Sequence, residues 1–378
     1  MTTRARADGQ ATHMAEEFAS YYDRRILKPP VWHERYIAGY LYLGGLAGAS
    51  SALAAGGQLT GRPGLARATK VAALTGITLS MVALVADLGR PARFVNMLRV
   101  VKPTSPMNMG SWLLAAYAPL VGVSALTDLT GRYAAVGRAA GYGAAVLGPA
   151  VGTYTAVLIA DTAVPAWHEG HREMPFLFAG SAMATAAGAA LLTAPAAENA
   201  PARHAAVIGA ALELVAGRLM RRRMGMVAEA YERGRPGTLC RAGEALSLVG
   251  ALGALAAGRV ARARTTGGSA GPGGTGLGGT GLGGIGLGGA RLGGAGLGGV
   301  ARRRGAGRHG AGRHGAGRRG AGRAGTGRER ALAAVSGAAL LAAAACVRFG
   351  VYSAGVASTE DPRYTVIPQR AHLSTPPG

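Results

Sequence analysis

Apolar residues in this chain come in long blocks with no polar face. Eight blocks of roughly 17–22 residues are apolar all round, the length a helix needs to cross a bilayer. They lie at about Tyr36–Ala55, Leu65–Ala86, Gly110–Thr127, Ala139–Ala160, Pro175–Ala194, His204–Met220, Gly243–Gly258 and Ala331–Val347. The seventh is short and weak. A helix without a polar face is buried in a large core or in lipid, and several in series favour lipid. The pattern therefore predicts an all-α integral membrane protein with about eight transmembrane helices.

Small residues recur along the blocks. Gly44 and Gly48 are four apart, as are Gly45 and Ala49, a spacing that lets helices approach closely in lipid. Pro119 and Pro149 fall inside the third and fourth blocks and predict kinks there. The chain divides into a polar tail (1–35), four spans (36–160), three more (161–260), a Gly/Arg-rich segment (261–330) and a last span with its tail (331–378). The first thirty residues lack an apolar core, so they do not read as a cleaved signal peptide.

The formal net charge of +23 suggests a nucleic-acid binder until it is located. Residues 261–330 hold 13 arginines and one acid, Glu329. Residues 265–328 hold 29 of the 64 glycines, in repeats such as GRHGAGRHGAGRRG. Such a segment cannot bury enough surface to fold and predicts a flexible loop. Its GxGxxG strings have no strand before them and no helix after, so no dinucleotide site is implied. It lacks aromatic stacking partners, and no nucleic-acid partner is inferred. The remaining basic residues lie mostly in the connectors on the side of the termini, as in GRLMRRRMG at 217–225. Taken literally, this bias makes the termini cytoplasmic in a cell (plasma) membrane.

Two cysteines, Cys240 and Cys346, form no CxxC, so no iron–sulfur cluster is expected in this chain. No histidine falls in the middle of an apolar block, which argues against a haem held between helices. No metal site is expected. Any redox centre must then sit on a partner or a diffusible carrier.

The connector VADLGRPARFVNMLRVVKPTSPMNMGSW (85–112) stands out. It places Asp87, Arg90, Arg93, Arg99 and Lys102 between two apolar blocks. On the expected topology it shares one membrane face with His33-Glu34-Arg35 and with ADTAVPAWHEGHREMPF (160–176). Polar groups converging at the mouth of an apolar bundle make a ligand site. A quinone suits it, because its ring needs hydrogen-bond donors and its tail needs apolar surface. Tyr154 and Asp161 are seven residues apart, about 10 Å along one helix face. The tyrosine can donate to a quinone oxygen, and the carboxylate can relay a proton. His33, His168 and Glu169 could extend that relay to water. Each has a plainer reading: Asp87 and Arg90 as a local ion pair, Tyr154 as packing, His168 as a solvated loop residue. Glu213, inside the sixth block, is the most unusual placement. It is either a proton-path residue or a partner for the basic helix end.

The segments PPVWHERYIAGYLYLGGLAGAS, ADLGRPARFVNMLRVVKPTSPMNMGSW and TYTAVLIADTAVPAWHE resemble the NrfD-type family, the membrane subunit of polysulphide reductase-like complexes. RFGVYSAGVASTEDPRYTVIPQR (348–370) is similar to actinobacterial members. The resemblance implies two four-helix bundles, no haem and no cluster. It also implies a menaquinone or other quinone site near one face. Its partners would be an iron–sulfur electron-transfer subunit and a molybdopterin catalytic subunit. It points to Tyr154 as a quinone ligand and to His33 as a polar contact. Arg93, Arg99 and Lys102 then become candidates for docking the partner. In several family members the quinone site faces outward, whereas the charge bias here places that face inside. A transporter or proton channel, kept alive by Glu213, and a membrane anchor without quinone activity are the competing readings.

Overall fold

The computed structural model describes residues 26–90, 92–267 and 316–367. Most of the expected Gly/Arg loop and both distal tails lie outside the described residues. Among the described residues there is no strand. Helices run α1 Glu34–Leu59, α2 Pro63–Asp87, α3 Ala92–Met97, α4 Pro106–Thr130, α5 Ala134–Ala160, α6 Pro165–Glu169, α7 Met174–Thr193, α8 Ala200–Met224, α9 Glu229–Glu232, α10 Gly234–Gly267 and α11 Ala316–Glu360.

Helix ends fall where the local chemistry places them. Proline stands in the first turn of α2, α4, α6, α7 and α8, where a missing N–H costs nothing. Ser105 caps α4 by accepting from the Asn108 N–H. Gly131 ends α4 in the left-handed region, φ 69°, which glycine adopts without penalty. Pro119 and Pro149 lie inside α4 and α5, and both helices continue through them.

Among the described residues seven helices are long and apolar enough to cross a membrane: α1, α2, α4, α5, α7, and the apolar parts of α10 and α11. The chain is a multi-pass membrane protein. The 25-residue α8 has the length but carries Arg203, Glu213, Arg218 and Arg221–Arg223, so it falls short of the same apolarity. The expected eighth span ends at Val347 because Arg348 interrupts the apolar run. The helix itself continues thirteen residues further, to Glu360. Likewise α10 and α11 extend past the expected limits of the Gly/Arg segment.

Among the described residues the eight long helices form two groups of four. α1, α2, α4 and α5 pack together, and so do α7, α8, α10 and α11. The groups meet chiefly where α1 lies against α7, with α5 and α11 beside them. Small residues make this possible. A Cβ on either Gly48 or Gly148 would strike the other's carbonyl, so α1 and α5 touch backbone to backbone. Gly180 and Gly209 do the same for α7 and α8. Close approach of this kind replaces the hydrophobic drive that lipid removes.

The topology puts the N-terminal ends of α1, α4, α7 and α10 on one side, called face A. The C-terminal ends of α2, α5, α8 and α11 lie there too. At the other face the Glu198 carboxylate accepts from the Leu65 N–H at 2.8 Å and Lys70 bonds Asp128 at 3.0 Å.

Candidate functional site

At face A the four helices of the first group enclose a cavity of about 70 Å³, open on one side. Its walls are mainly Leu, Ile and Met side chains, with Trp32, Tyr40 and Tyr154 among them. Asp87 and Ser111 add polar atoms. A water needs roughly 10–15 Å³ of such space, so the cavity has room for a small ring or several waters.

Tyr154 lies six residues before the end of α5 and turns its ring toward the start of α4. A Cβ on Gly110 would overlap that ring and stand 3.0 Å from its hydroxyl. The glycine of Asn-Met-Gly-Ser-Trp is therefore a seat for the tyrosine. None of the described hydrogen bonds uses the Tyr154 hydroxyl, although Tyr154 and Ser111 share the cavity wall.

Asp87 ends α2 with its side chain only 9% exposed. Its Oδ1 accepts from the His33 backbone N–H at 2.9 Å and lies 3.4 Å from the His33 ring Nδ1. The imidazole is 73% exposed on the other side. Asp87 thus joins the cavity wall to a solvent-facing ring, and its partner is His33 rather than Arg90. Arg90 is exposed.

The connector between α2 and α4 is tied down by one side chain. Asn108 Nδ2 donates to the Met97 and Val100 carbonyls at 2.7 and 2.8 Å. Its Oδ1 accepts from the Lys102 N–H at 2.7 Å. Trp112 Nε1 donates to the Val100 carbonyl at 3.1 Å, and Ser111 Oγ contacts Met97 Sδ at 3.5 Å. These bonds hold Met97 and Met107 as cavity wall. They leave Arg93, Arg99 and Lys102 exposed on face A.

The third converging segment behaves differently. Trp167 of α6 is fully buried, stacks on Trp32 at 6.0 Å and donates to the Val351 carbonyl at 2.8 Å. Tyr352 donates to the Trp32 carbonyl at 2.5 Å. The segment before α1 is thereby clamped between the two helix groups. Asp161 and His168 are exposed and do not line the cavity. The His168 ring lies against the Ala160 carbonyl at 3.3 Å. Nearby, Arg223 forks onto the Glu173 carboxylate at 2.7 Å and holds its acidity above that of an ordinary carboxyl, lowering the pKa.

The structure thus brings Tyr154, Asp87 and His33 together and sets Arg90, Asp161 and His168 apart from them. Trp32, Tyr40, Met97, Met107, Asn108, Gly110 and Ser111 were not singled out as site residues on sequence. Among the described residues no cluster of three or more His, Cys, Asp or Glu could hold a metal.

No curated protein matches this chain. A family model described as "Polysulphide reductase, NrfD" matches residues 26–227. That range contains every residue lining the cavity and just over half of the 378-residue chain. With the multi-pass helical architecture it shows that the chain belongs to the NrfD polysulphide reductase family, whose members are quinone-interacting membrane subunits of redox complexes.

Proposed function

We propose that this chain exchanges electrons between menaquinone, or another quinone, and an iron–sulfur partner subunit docked on face A. That partner in turn serves a molybdopterin catalytic subunit. The observation that carries this reading is the half-open apolar cavity. It presents the phenols of Tyr154 and Tyr40, neither used in a described hydrogen bond, and one shielded carboxylate, Asp87, joined to an exposed imidazole, His33.

Apolar walls and a small number of placed polar groups suit a ring with polar edges. Tyr154 would donate to a ring oxygen and fix its orientation. In the oxidising direction a bound quinol would give up two electrons, one after the other, to the partner's iron–sulfur centre, and two protons from its ring hydroxyls. Asp87 would accept those protons one at a time, and His33 would pass each to water at face A. Asp161 and His168 lie outside the cavity, so in this reading they act only on the solvent side of the relay.

Arg93, Arg99 and Lys102 offer a basic surface beside the cavity. Asn108 and two prolines, Pro103 and Pro106, restrict that surface, so its ordering on docking costs little entropy; Pro91, also expected to restrict it, lies outside the described residues. The basic bias of face A supports cytoplasmic termini in the plasma membrane.

The test is quinol turnover of the purified complex carrying Tyr154→Phe. One lost hydrogen bond of about 1 kcal/mol corresponds to roughly a fivefold rise in the quinol KM. Unchanged kinetics in an intact complex would reduce the chain to an anchor.

A further inference from the structure

The second helix group contains two charged side chains that the face A cavity does not use. Glu213 lies near the middle of α8, eleven residues before its end at Met224. Arg348 lies twelve residues before the end of α11. At 1.5 Å per residue both sit about 16–18 Å below face A. They are 2% and 1% exposed. Charges at that depth are expensive unless they are paired or hydrated.

Each is only half satisfied. Ser247 Oγ donates to Glu213 Oε1 at 2.5 Å, while Oε2 is buried beside the Ser181 hydroxyl of α7 without a well-formed hydrogen bond. Arg348 Nη2 donates to the Phe178 carbonyl at 2.9 Å, and the guanidinium lies 3.5 Å over the Phe178 ring. Its Nη1 is buried with no partner. A Cβ on Gly45 of α1 would stand 3.2 Å from Arg348 Nη2, so the cluster lies at the seam between the two helix groups. Buried polar groups are normally fully hydrogen-bonded, so the free Arg348 Nη1 and the loosely held Glu213 Oε2 leave room for a role beyond packing.

A crevice of about 20 Å³ reaches Glu213 past Gly217, Tyr231 and Cys240, with Arg221 and Glu244 also on its wall. That volume holds one or two waters at roughly 10–15 Å³ each. Arg221 and Glu244 form an ion pair there, nearer face A than Glu213. The ionisable groups around Glu213 are Arg348 from α11, Glu244 and Cys240 from α10, Tyr231 from α9 and Arg221 on α8 itself. α7 contributes only Ser181 and the Phe178 carbonyl, and α1 contributes Gly45.

We infer that Glu213 is a proton-exchange site in the membrane interior, reached from face A by water in this crevice, with Arg348 as its fixed counter-charge. The carboxylate Oε2 takes a proton from the inner water, forming one O–H bond. That water regains a proton from the face A side. The net event is one proton removed from solution at face A, and nothing is oxidised or reduced. The inference does not depend on what the first helix group binds.

Infrared difference spectroscopy of the full chain in lipid nanodiscs tests it, following the carboxylic acid C=O band through a pH change. A band is expected that Glu213→Gln abolishes and that shifts on transfer to D₂O. Should Glu213→Gln not fold, Glu213→Asp identifies the band by moving it. Gly217→Leu should keep the band but slow its D₂O shift at least tenfold. A Cβ there meets Leu177 at 3.5 Å and Arg221 at 3.7 Å without clash, so the longer side chain plugs the crevice. The inference is overturned by a Glu213 that stays ionised at every pH where the chain is folded. It is equally overturned by a band that ignores D₂O, or by a shift as fast in Gly217→Leu as in the parent.

Discussion

Asp87 and Glu213 are both shielded carboxylates on membrane helices, and they sit in opposite settings. Asp87 stands at the end of α2, bonded to the His33 backbone and beside an exposed imidazole. Glu213 stands in the middle of α8, buried, with the Arg348 guanidinium acting on it at longer range and one oxygen without a well-formed hydrogen bond. At the interface an ionisable group reaches water through a neighbour and costs the fold little. At mid-depth it must be balanced within the protein. The first region can therefore be tuned for a ligand, while the second ties its charge to the stability of the helix group around it.

The largest effect expected from this contrast is on stability. Arg348→Ala removes the Phe178 contacts and leaves Glu213 without its counter-charge. Losing the Phe178 hydrogen bond, the cation–π contact and the longer-range charge compensation together costs about 3 kcal/mol. Thermal unfolding in detergent should show a large loss for Arg348→Ala and a change under about 1 kcal/mol for Asp87→Asn. Equal losses would erase the distinction between the two regions.

Next comes the seat of Tyr154. Gly110→Val places a branched side chain where the ring lies. Overpacking costs about 1–3 kcal/mol, which is roughly a five- to hundredfold loss if it falls on turnover. The chain should still assemble, because α4 and α5 also pack elsewhere along their length. A variant with full quinol turnover would show that Tyr154 is not needed where the structure puts it.

Asn108→Leu should act more gently. It deletes three hydrogen bonds of the connector, each worth about 1 kcal/mol, in a segment the bundle does not need for folding. Limited proteolysis should cut between α3 and α4 faster. Partner retention should fall and become more salt-sensitive, because the basic side chains lose their fixed spacing.

These residues also mark what was legible in the sequence. Lipid-length apolar blocks announced the helices, since bilayer thickness sets a length that composition cannot hide. Tyr154, Asp87 and His33 were legible because polar groups at helix ends on one face must converge. Gly110 was not, because a glycine in an apolar run looks the same whether it seats a helix or a ring. Arg348 closed the last span too early, since a hydropathy reading cannot foresee a carbonyl and an aromatic face waiting for it. Trp167 read as part of a polar connector, although its ring is buried between the two helix groups. Long-range partners, about 185 to 320 residues away along the chain, decide such positions, and local pattern carries no trace of them.

The smallest effect belongs to the ion pair of Glu173 and Arg223, which joins the α7 end to the α8 end on face A. The Glu173 side chain is 17% exposed and that of Arg223 29%, so water and salt screen the pair. The pair is worth at most about 1 kcal/mol. The guanidinium lowers the folded-state pKa of the Glu173 carboxyl. The contribution is therefore present above the unfolded value of roughly 4.3 and disappears as pH falls through the folded value. Arg223→Ala should lower thermal stability slightly at neutral pH and not at all in acid below both values. A loss that instead persists unchanged in acid would mean that Arg223 acts through its bond to the Glu169 carbonyl. The rim of face A would then resemble the interior in relying on fixed partners, and the contrast between Asp87 and Glu213 would rest on depth alone.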